Sequence, residues 1–276
     1  MLHLKARAKI NWALNITGRR ADGYHELDMV MQAIDLHDDM TFAPADAITL
    51  TVDGAPAGEE NLVVRAAQAL NRRAGASRGV AMTLEKHIPA RAGLGGGSAD
   101  CALTLRTLND LWDLRLPEEA LLAIGAELGA DVPFCLTGGL ARVTGIGERI
   151  APVTGASPMP LVLATPGGGL STAEVFSLWD AGGFPPVTLD APALAAAVAR
   201  GDLPAIDRLC ANALTAPAIA LMPEIGALIQ TMRKLGAGAA FMTGSGSTVV
   251  GAFDSEPAAR RAAGRIPQSV LTFTRP

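Results

Sequence analysis

The sequence predicts an α+β protein in two domains, and three observations carry that expectation. Apolar residues repeat with period two in some stretches and with helical spacing in others, without a regular strand–helix alternation. The 276 residues are 49% hydrophobic and 18% charged, which supports a well-buried core and excludes disorder as the main state. A proline-rich stretch, Pro152–Pro160, separates two runs of elements. It divides the chain into an expected N-terminal domain over 1–155 and a C-terminal domain over 156–276.

The elements follow in order. Leu4, Ala6, Ala8, Ile10, Trp12, Leu14 and Ile16 alternate with Lys5, Arg7, Lys9, Asn11 and Asn15, the pattern of a strand with one apolar face. Asp22-Gly23 marks a turn, and a second apolar run covers Leu27–Ile34. Asn61 is placed to cap a helix over Leu62–Arg73 that Gly75 ends. Val80, Met82 and Leu84 alternate as a strand. The glycines of Gly93–Gly97 lead into a helix expected from about Ser98, with Ala102, Leu105, Leu108 and Leu111 on its apolar stripe. Pro117 opens another helix, Gly129 ends it, and Asp131-Val132-Pro133 follows at once. Beyond the proline-rich stretch come a strand at Leu161–Thr165, a glycine loop and several helices, one striped by Ile225, Leu228, Ile229, Met232 and Leu235. The chain closes with a strand (Ala239–Met242), a Gly244-Ser245-Gly246 turn, a strand (Thr248–Phe253), a helix (Glu256–Gly264) and a strand (Val270–Thr274).

Composition removes several classes of function. A net charge of −4 gives no global positive field to collect nucleic-acid phosphates. Cys101, Cys135 and Cys210 stand far apart, and the four histidines show no metal-binding spacing. Neither a zinc site nor a disulfide framework is expected, and the cysteines fit small buried hydrophobes in a reducing cytoplasm. Lys5, Arg7 and Lys9 interrupt the apolar run that a signal peptide needs, so none is expected. The longest uncharged stretch, Ile150–Ala173, is broken by four prolines and three consecutive glycines, so no membrane helix is expected.

The strongest chemical signal is Gly93-Leu94-Gly95-Gly96-Gly97-Ser98 between a strand and a helix. Glycines let the backbone lay its N–H groups against phosphate oxygens, and the helix adds the positive end of its dipole. The spelling fits neither a Walker loop, which needs Gly-Lys, nor a dinucleotide fingerprint, which needs a third glycine where Ser98 stands. No serine lies between glycines two residues away on each side, so there is no nucleophile elbow.

Four segments together resemble the GHMP kinase superfamily. They are Ala8-Lys9-Ile10-Asn11 with Ile16 through Glu26; Ile88-Pro89 through Asp100; Gly129 through Pro133; and Met242 through Ser247. They span nearly the whole chain in the expected order. The glycine loop points to the superfamily, and the Gly18–Glu26 run to one kinase within it. Three positions depart from the usual pattern: Arg7 stands for a proline, Arg91 for a smaller or apolar residue, and Ala99 for a second serine.

The resemblance implies a ribosomal-protein-S5-like first domain, a ferredoxin-like second domain and an ATP- and Mg²⁺-dependent kinase. The acceptor it implies is an alcohol on a small molecule carrying a cytidine diphosphate. Lys9 and Asp131 would be catalytic. Pro89, Ala90, Arg91, Ala92, Gly93, Leu94, Gly95, Gly96, Gly97, Ser98 and Ala99 would hold ATP together with Asn61, and the Ser98 hydroxyl would reach Mg²⁺. Asn11, Tyr24, His25, Phe176, Thr243, Gly244 and Ser245 would bind the acceptor, with His25 on the cytosine edge and Phe176 stacked on the base. A membrane or nucleic-acid partner is not implied, and the chain is expected to act as a monomer or weak homodimer. Other GHMP kinases, acting on homoserine or mevalonate derivatives, are the alternatives within the superfamily. Outside it stand a silent ligand sensor and a plain nucleotide-binding module.

Overall fold

The computed structural model describes all 276 residues. They gather into two compact units, each drawn from separate stretches of chain. The first comprises Met1–Ala8, Leu36–Pro89 and Gly95–Thr137; the second comprises Lys9–Asp35, Ala90–Leu94 and Gly138–Pro276. The first 155 residues therefore contribute to both units.

Two long strands, β1 (Leu2–Arg19) and β2 (His25–Ala45), pair with each other and supply residues to both units. In the first unit the later half of β2 continues to β3 (Ile48–Val52), the short β4 (Ala55–Pro56), helix α1 (Leu62–Ala74) and β5 (Gly79–Glu85). β2 and β5 are antiparallel, with Met40 opposite Leu84 and Phe42 opposite Met82. All four are buried, because residues two apart share a face of the pleat. β3 joins β5 in parallel, an arrangement that requires a crossover, and α1 lies in it. The caps of α1 are those the sequence predicts: the Asn61 side chain accepts from the Val63 N–H, and Gly75 stops the helix in the left-handed region at φ 59°. Helices α2 (Gly96–Leu111), α3 (Glu118–Leu128) and α4 (Val132–Thr137) complete this unit. Leu70, Leu105, Leu108, Ile124 and Val132 share one core with the β2–β3–β5 side chains.

In the second unit the period of two in β1 breaks down. Every residue from Ala8 to Leu14 is buried, so both faces of the strand are covered there. The early half of β2 pairs with β6 (Leu140–Gly145), which turns into β7 (Arg149–Val153). Next come β8 (Pro160–Ala164), α5 (Thr172–Asp180), α6 (Ala191–Arg200), α7 (Leu203–Leu209), α8 (Thr215–Leu221) and α9 (Glu224–Lys234). The chain ends with β9 (Ala239–Met242), β10 (Val249–Ala252), α10 (Glu256–Ala263) and β11 (Val270–Phe273). These last strands form an antiparallel sheet in the order β11-β8-β10-β9. With α9 and α10 packed on it, that order and the β-α-β-β-α-β path are ferredoxin-like, as expected. Buried Ile225 and Met232 anchor α9, and Ala259 and Ala262 anchor α10. The α+β class is therefore as the sequence predicts. No helix is long and apolar enough to cross a membrane.

Candidate active site

The glycine run is divided between the units, and its two halves do different work. Pro89 and Gly95–Ala99 belong to the first unit, Ala90–Leu94 to the second. In the first unit α2 begins at Gly96, two residues before the position expected from helix propensity, so two loop glycines form its opening turn. Gly95 precedes it in the left-handed region at φ 68°, and no side chain caps the helix. The N–H groups of Gly96, Gly97 and Ser98 are thus helix-start donors without intrahelical partners, the arrangement that suits an anion. The Ser98 hydroxyl lies beside Gly129, 3.9 Å from where a methyl group on that glycine would stand.

Behind this turn sits a charged cluster that the sequence does not advertise. Lys86 directly follows β5, where it reads as a solvated lysine. Its ammonium donates to Asp38 and, at 2.8 Å, to Asp100 Oδ2 in the first turns of α2. Asp38 is fully buried and accepts in addition from the N–H groups of His87 and Ile88. A methyl on Gly96 would stand 3.4 Å from the Lys86 ammonium nitrogen and 3.0 Å from Ile88, so the cluster forms the wall under the loop. Burial pushes the Asp100 carboxyl up to about 7; Lys86 opposes this and Asp38 adds to it. One ammonium cannot fully compensate two buried carboxylates, and Asp100 Oδ1 is buried without a hydrogen-bond partner. Burial alone would lower the Lys86 pKa, but Asp100 and Asp38 outweigh it and hold it above the ordinary lysine value.

Asn61 is the α1 cap described above. Asp131 is half-buried just before α4, and its carbonyl accepts from the Cys135 N–H at 3.0 Å. That six-residue helix is absent from the sequence expectation, because Pro133 reads as a breaker although a first-turn proline is well tolerated. Cys101 is buried inside α2, and burial pushes its thiol up to about 12, in keeping with a structural role.

In the second unit, Lys9 is buried rather than solvated. Its ammonium donates to Asn11 Oδ1 at 2.7 Å, joining the two residues that strand geometry places on one face. The Asn11 N–H donates to the Thr243 hydroxyl at 2.8 Å, and the Lys9 N–H to the Leu94 carbonyl at 3.0 Å. Lys9, Asn11, Gly93–Leu94 and Thr243–Gly244 are therefore one packed group. A methyl on Gly93 would stand 2.5 Å from the Thr243 carbonyl oxygen, and one on Gly244 would stand 3.0 Å from the Gly93 carbonyl oxygen. Both residues have left-handed φ values, 76° and 58°, so these glycines serve backbone against backbone. Asn212 holds the same turn by donating to the Met242 and Gly244 carbonyls at 3.0 and 2.8 Å. No sequence motif marks Asn212. The Ser245 hydroxyl pairs with that of Thr172 at 2.7 Å.

His25 opens β2 and meets one face of α5. Phe176, Trp179 and Asp180 are spaced i, i+3, i+4 on that helix. The imidazole stacks on Phe176 with centroids 4.8 Å apart, meets Trp179 edge-on at 5.7 Å, and places Nε2 2.8 Å from Asp180 Oδ1. One Phe176 face is thus occupied by His25. Tyr24 is largely exposed beside it, its N–H donating to Asp22 Oδ1. Of the expected acceptor-site residues, Asn11 joins Thr243 and Gly244, and His25 joins Phe176. The sequence motifs do not mark Trp179 and Asp180; their helical spacing from Phe176 is the signal that points to them.

The chain matches the family model described as GHMP kinases N terminal domain over residues 61–139 and that of GHMP kinases C terminal over 194–270. A protein of Pelotomaculum thermopropionicum named 4-diphosphocytidyl-2-C-methyl-D-erythritol kinase is 43% identical over 264 residues, covering 94% of this chain and 92% of its own. A protein of the same name from Cereibacter sphaeroides is 42% identical, over 94% and 91% of the two chains. A crystal structure of 4-(cytidine 5'-diphospho)-2C-methyl-D-erythritol kinase superposes with a TM-score of 0.85 at 36% identity, covering both chains completely. The mevalonate kinase of Methanococcus jannaschii shares the fold, with a TM-score of 0.72 at 13% identity over 100% of this chain and 98% of its own.

Proposed function

This chain belongs to the GHMP kinase family, and from that premise we propose that it transfers the γ-phosphoryl group of ATP to the 2-hydroxyl of 4-diphosphocytidyl-2-C-methyl-D-erythritol. The reaction is a step of the non-mevalonate route to isoprenoid precursors. The observation that carries the substrate choice is the His25 pocket. The glycine loop and helix start suit any GHMP kinase, whereas the Gly18–Glu26 run belongs to one, and its His25 lies in a pocket of Phe176, Trp179 and Asp180. A planar base suits such aromatic walls.

The roles follow from residue chemistry and from the family pattern. The N–H groups of Gly96, Gly97 and Ser98 receive the ATP phosphates, with the flanking residues 89–99 shaping the loop and Asn61 at the adenine. The Ser98 hydroxyl would help hold a Mg²⁺ ion, which would supply neutralisation of phosphate charge. Asp131 accepts or orients the proton of the acceptor hydroxyl as its oxygen bonds to the γ-phosphorus and ADP leaves. The Lys9 ammonium, oriented by Asn11, offsets the negative charge that develops on the transferring group. Tyr24, His25 and Phe176 bind the cytidine, and Asn11, Thr243, Gly244 and Ser245 the diphosphate and polyol. The enzyme works in the cytoplasm as a monomer or weak homodimer.

ADP release tests the proposal, measured with the cytidine substrate, homoserine, mevalonate and phosphomevalonate in parallel. Turnover confined to the cytidine substrate is expected. Faster turnover of any of the others would assign the chain to a different member of the family, and ADP formed equally with no acceptor would remove the kinase reading.

A further inference from the structure

The imidazole of His25 is held on three sides by one helix face. Phe176 fixes the plane, Trp179 fixes the edge, and the Asp180 carboxylate lies 2.8 Å from Nε2. The His25 side chain is only 11% exposed, so the ring is set by these contacts rather than by solvent. Arg19 Nη1 lies 3.6 Å from the other Asp180 oxygen. The catalytic scheme makes no use of Asp180.

We propose that Asp180 is a specificity-determining positioning residue: by taking the Nε2–H of His25 it leaves Nδ1 as a hydrogen-bond acceptor, which selects the exocyclic amine of cytosine against the carbonyl oxygen of uracil. This inference rests on the cytidine reading of the site. A neutral imidazole carries one proton, and the nitrogen facing a carboxylate is the one that keeps it. The same second-partner logic sets the tautomer of metal-bound histidines. An acceptor at Nδ1 pairs with an amino donor. Against a carbonyl oxygen it sets two acceptors face to face and leaves both without a proton between them. Without Asp180 the proton can move to Nδ1, and the preference weakens or reverses.

Two measurements on the full chain test this. In ¹⁵N-histidine-labelled protein, the His25 signals, assigned by their loss in His25→Gln, should show a protonated Nε2 and an unprotonated Nδ1 at neutral pH. Asp180→Ala should redistribute the proton between the two nitrogens. In kinetics, the ratio of kcat/KM for the cytidine diphosphate substrate over its uridine diphosphate analogue should fall roughly tenfold or more in Asp180→Ala. The loss should lie in the acceptor KM, with the KM for ATP unmoved, which a general loosening of the fold would not produce. Asp180→Asn, which retains an oxygen acceptor, should keep part of the ratio and serves if the alanine variant does not fold. A proton on Nδ1 in the wild type, or an unchanged ratio in folded Asp180→Ala, would overturn the role of Asp180 and leave the kinase assignment intact. A wild type that turns over neither nucleotide-linked substrate would instead remove the reading on which the inference rests.

Discussion

In the first unit Lys86 stands between two buried carboxylates, Asp38 and Asp100, in the wall beneath the opening turn of α2. In the second unit Lys9 is more deeply buried, and its ammonium donates to the neutral amide oxygen of Asn11. The two lysines are withdrawn from water in different company. Asp38 and Asp100 tie Lys86 to the later half of β2 and to α2, so its charge is consumed in holding a loop between strand and helix. Asn11 accepts from the Lys9 ammonium and brings no opposite charge of its own. Under the proposed reaction, the first lysine organises a site and the second acts in it.

The largest effects test that division at the chemical step. Asp131→Asn should lower kcat by roughly 10²–10⁴, with ligand affinities little changed. Lys9→Ala should lower it by on the order of 10²–10³. The double variant should be clearly less impaired than the product of the single losses, because groups acting as a unit are not additive. Strictly multiplicative losses would assign the two residues independent roles, and near-normal turnover in either folded single variant would remove its catalytic assignment.

Lys86→Met is expected to fail differently. It leaves two buried carboxylates without their cation, which should destabilise the fold by about 2–4 kcal/mol, the lower end reflecting the partial exposure of Lys86. Equilibrium denaturation should register the loss, and the remaining folded enzyme should show a raised KM for ATP. A Lys86→Met protein of wild-type stability that had lost kcat alone would reverse the roles given to the two lysines.

A smaller effect belongs to the base pocket. His25→Ala should weaken binding of the cytidine substrate by roughly 1–3 kcal/mol, while calorimetry with ATP shows no comparable change. Equal losses for both ligands would take His25 out of cytosine recognition.

An effect of similar size is a pH dependence. The Asp100 carboxyl is raised to about 7 in the folded chain, against an ordinary value near 3.8. Between those values the folded state holds a proton that the unfolded state has released, so this group's contribution to stability falls as pH rises from about 4 to about 7. Asp100→Asn removes the dependence. Its stability relative to wild type should improve by roughly 1–3 kcal/mol between pH 5 and pH 8, read as a difference in denaturation midpoints. A difference that is flat, or that moves the other way, would mean that Lys86 keeps Asp100 ionised throughout.

Local chemistry made much of the fold legible. The caps Asn61 and Gly75 bracket α1, and Pro117 and Gly129 flank α3, because those residues act on the backbone next to them. Glycine is a poor helix former, so helix propensity places the α2 start near Ser98, and only the folded context shows the loop glycines inside the first turn. The alternation in β1 announces one buried face, but the burial of both faces from Ala8 to Leu14 depends on neighbours that no local pattern records. The same limit governs the site. Lys9, Asn11 and His25 stand in recognisable motifs. Lys86, by contrast, meets Asp38 across 48 residues, and Asn212 supports a turn that begins 30 residues later, contacts that only folding creates.

The proposed reaction is phosphoryl transfer from ATP to an alcohol of a cytidine diphosphate-linked acceptor. Phosphorus NMR of the purified chain with ATP, Mg²⁺ and 4-diphosphocytidyl-2-C-methyl-D-erythritol tests it directly. ADP signals should grow in step with one new phosphate monoester, coupled to the polyol carbon bearing the 2-hydroxyl, while the diphosphate of the acceptor stays intact. ADP with inorganic phosphate alone, or cleavage of the cytidine diphosphate, would contradict it.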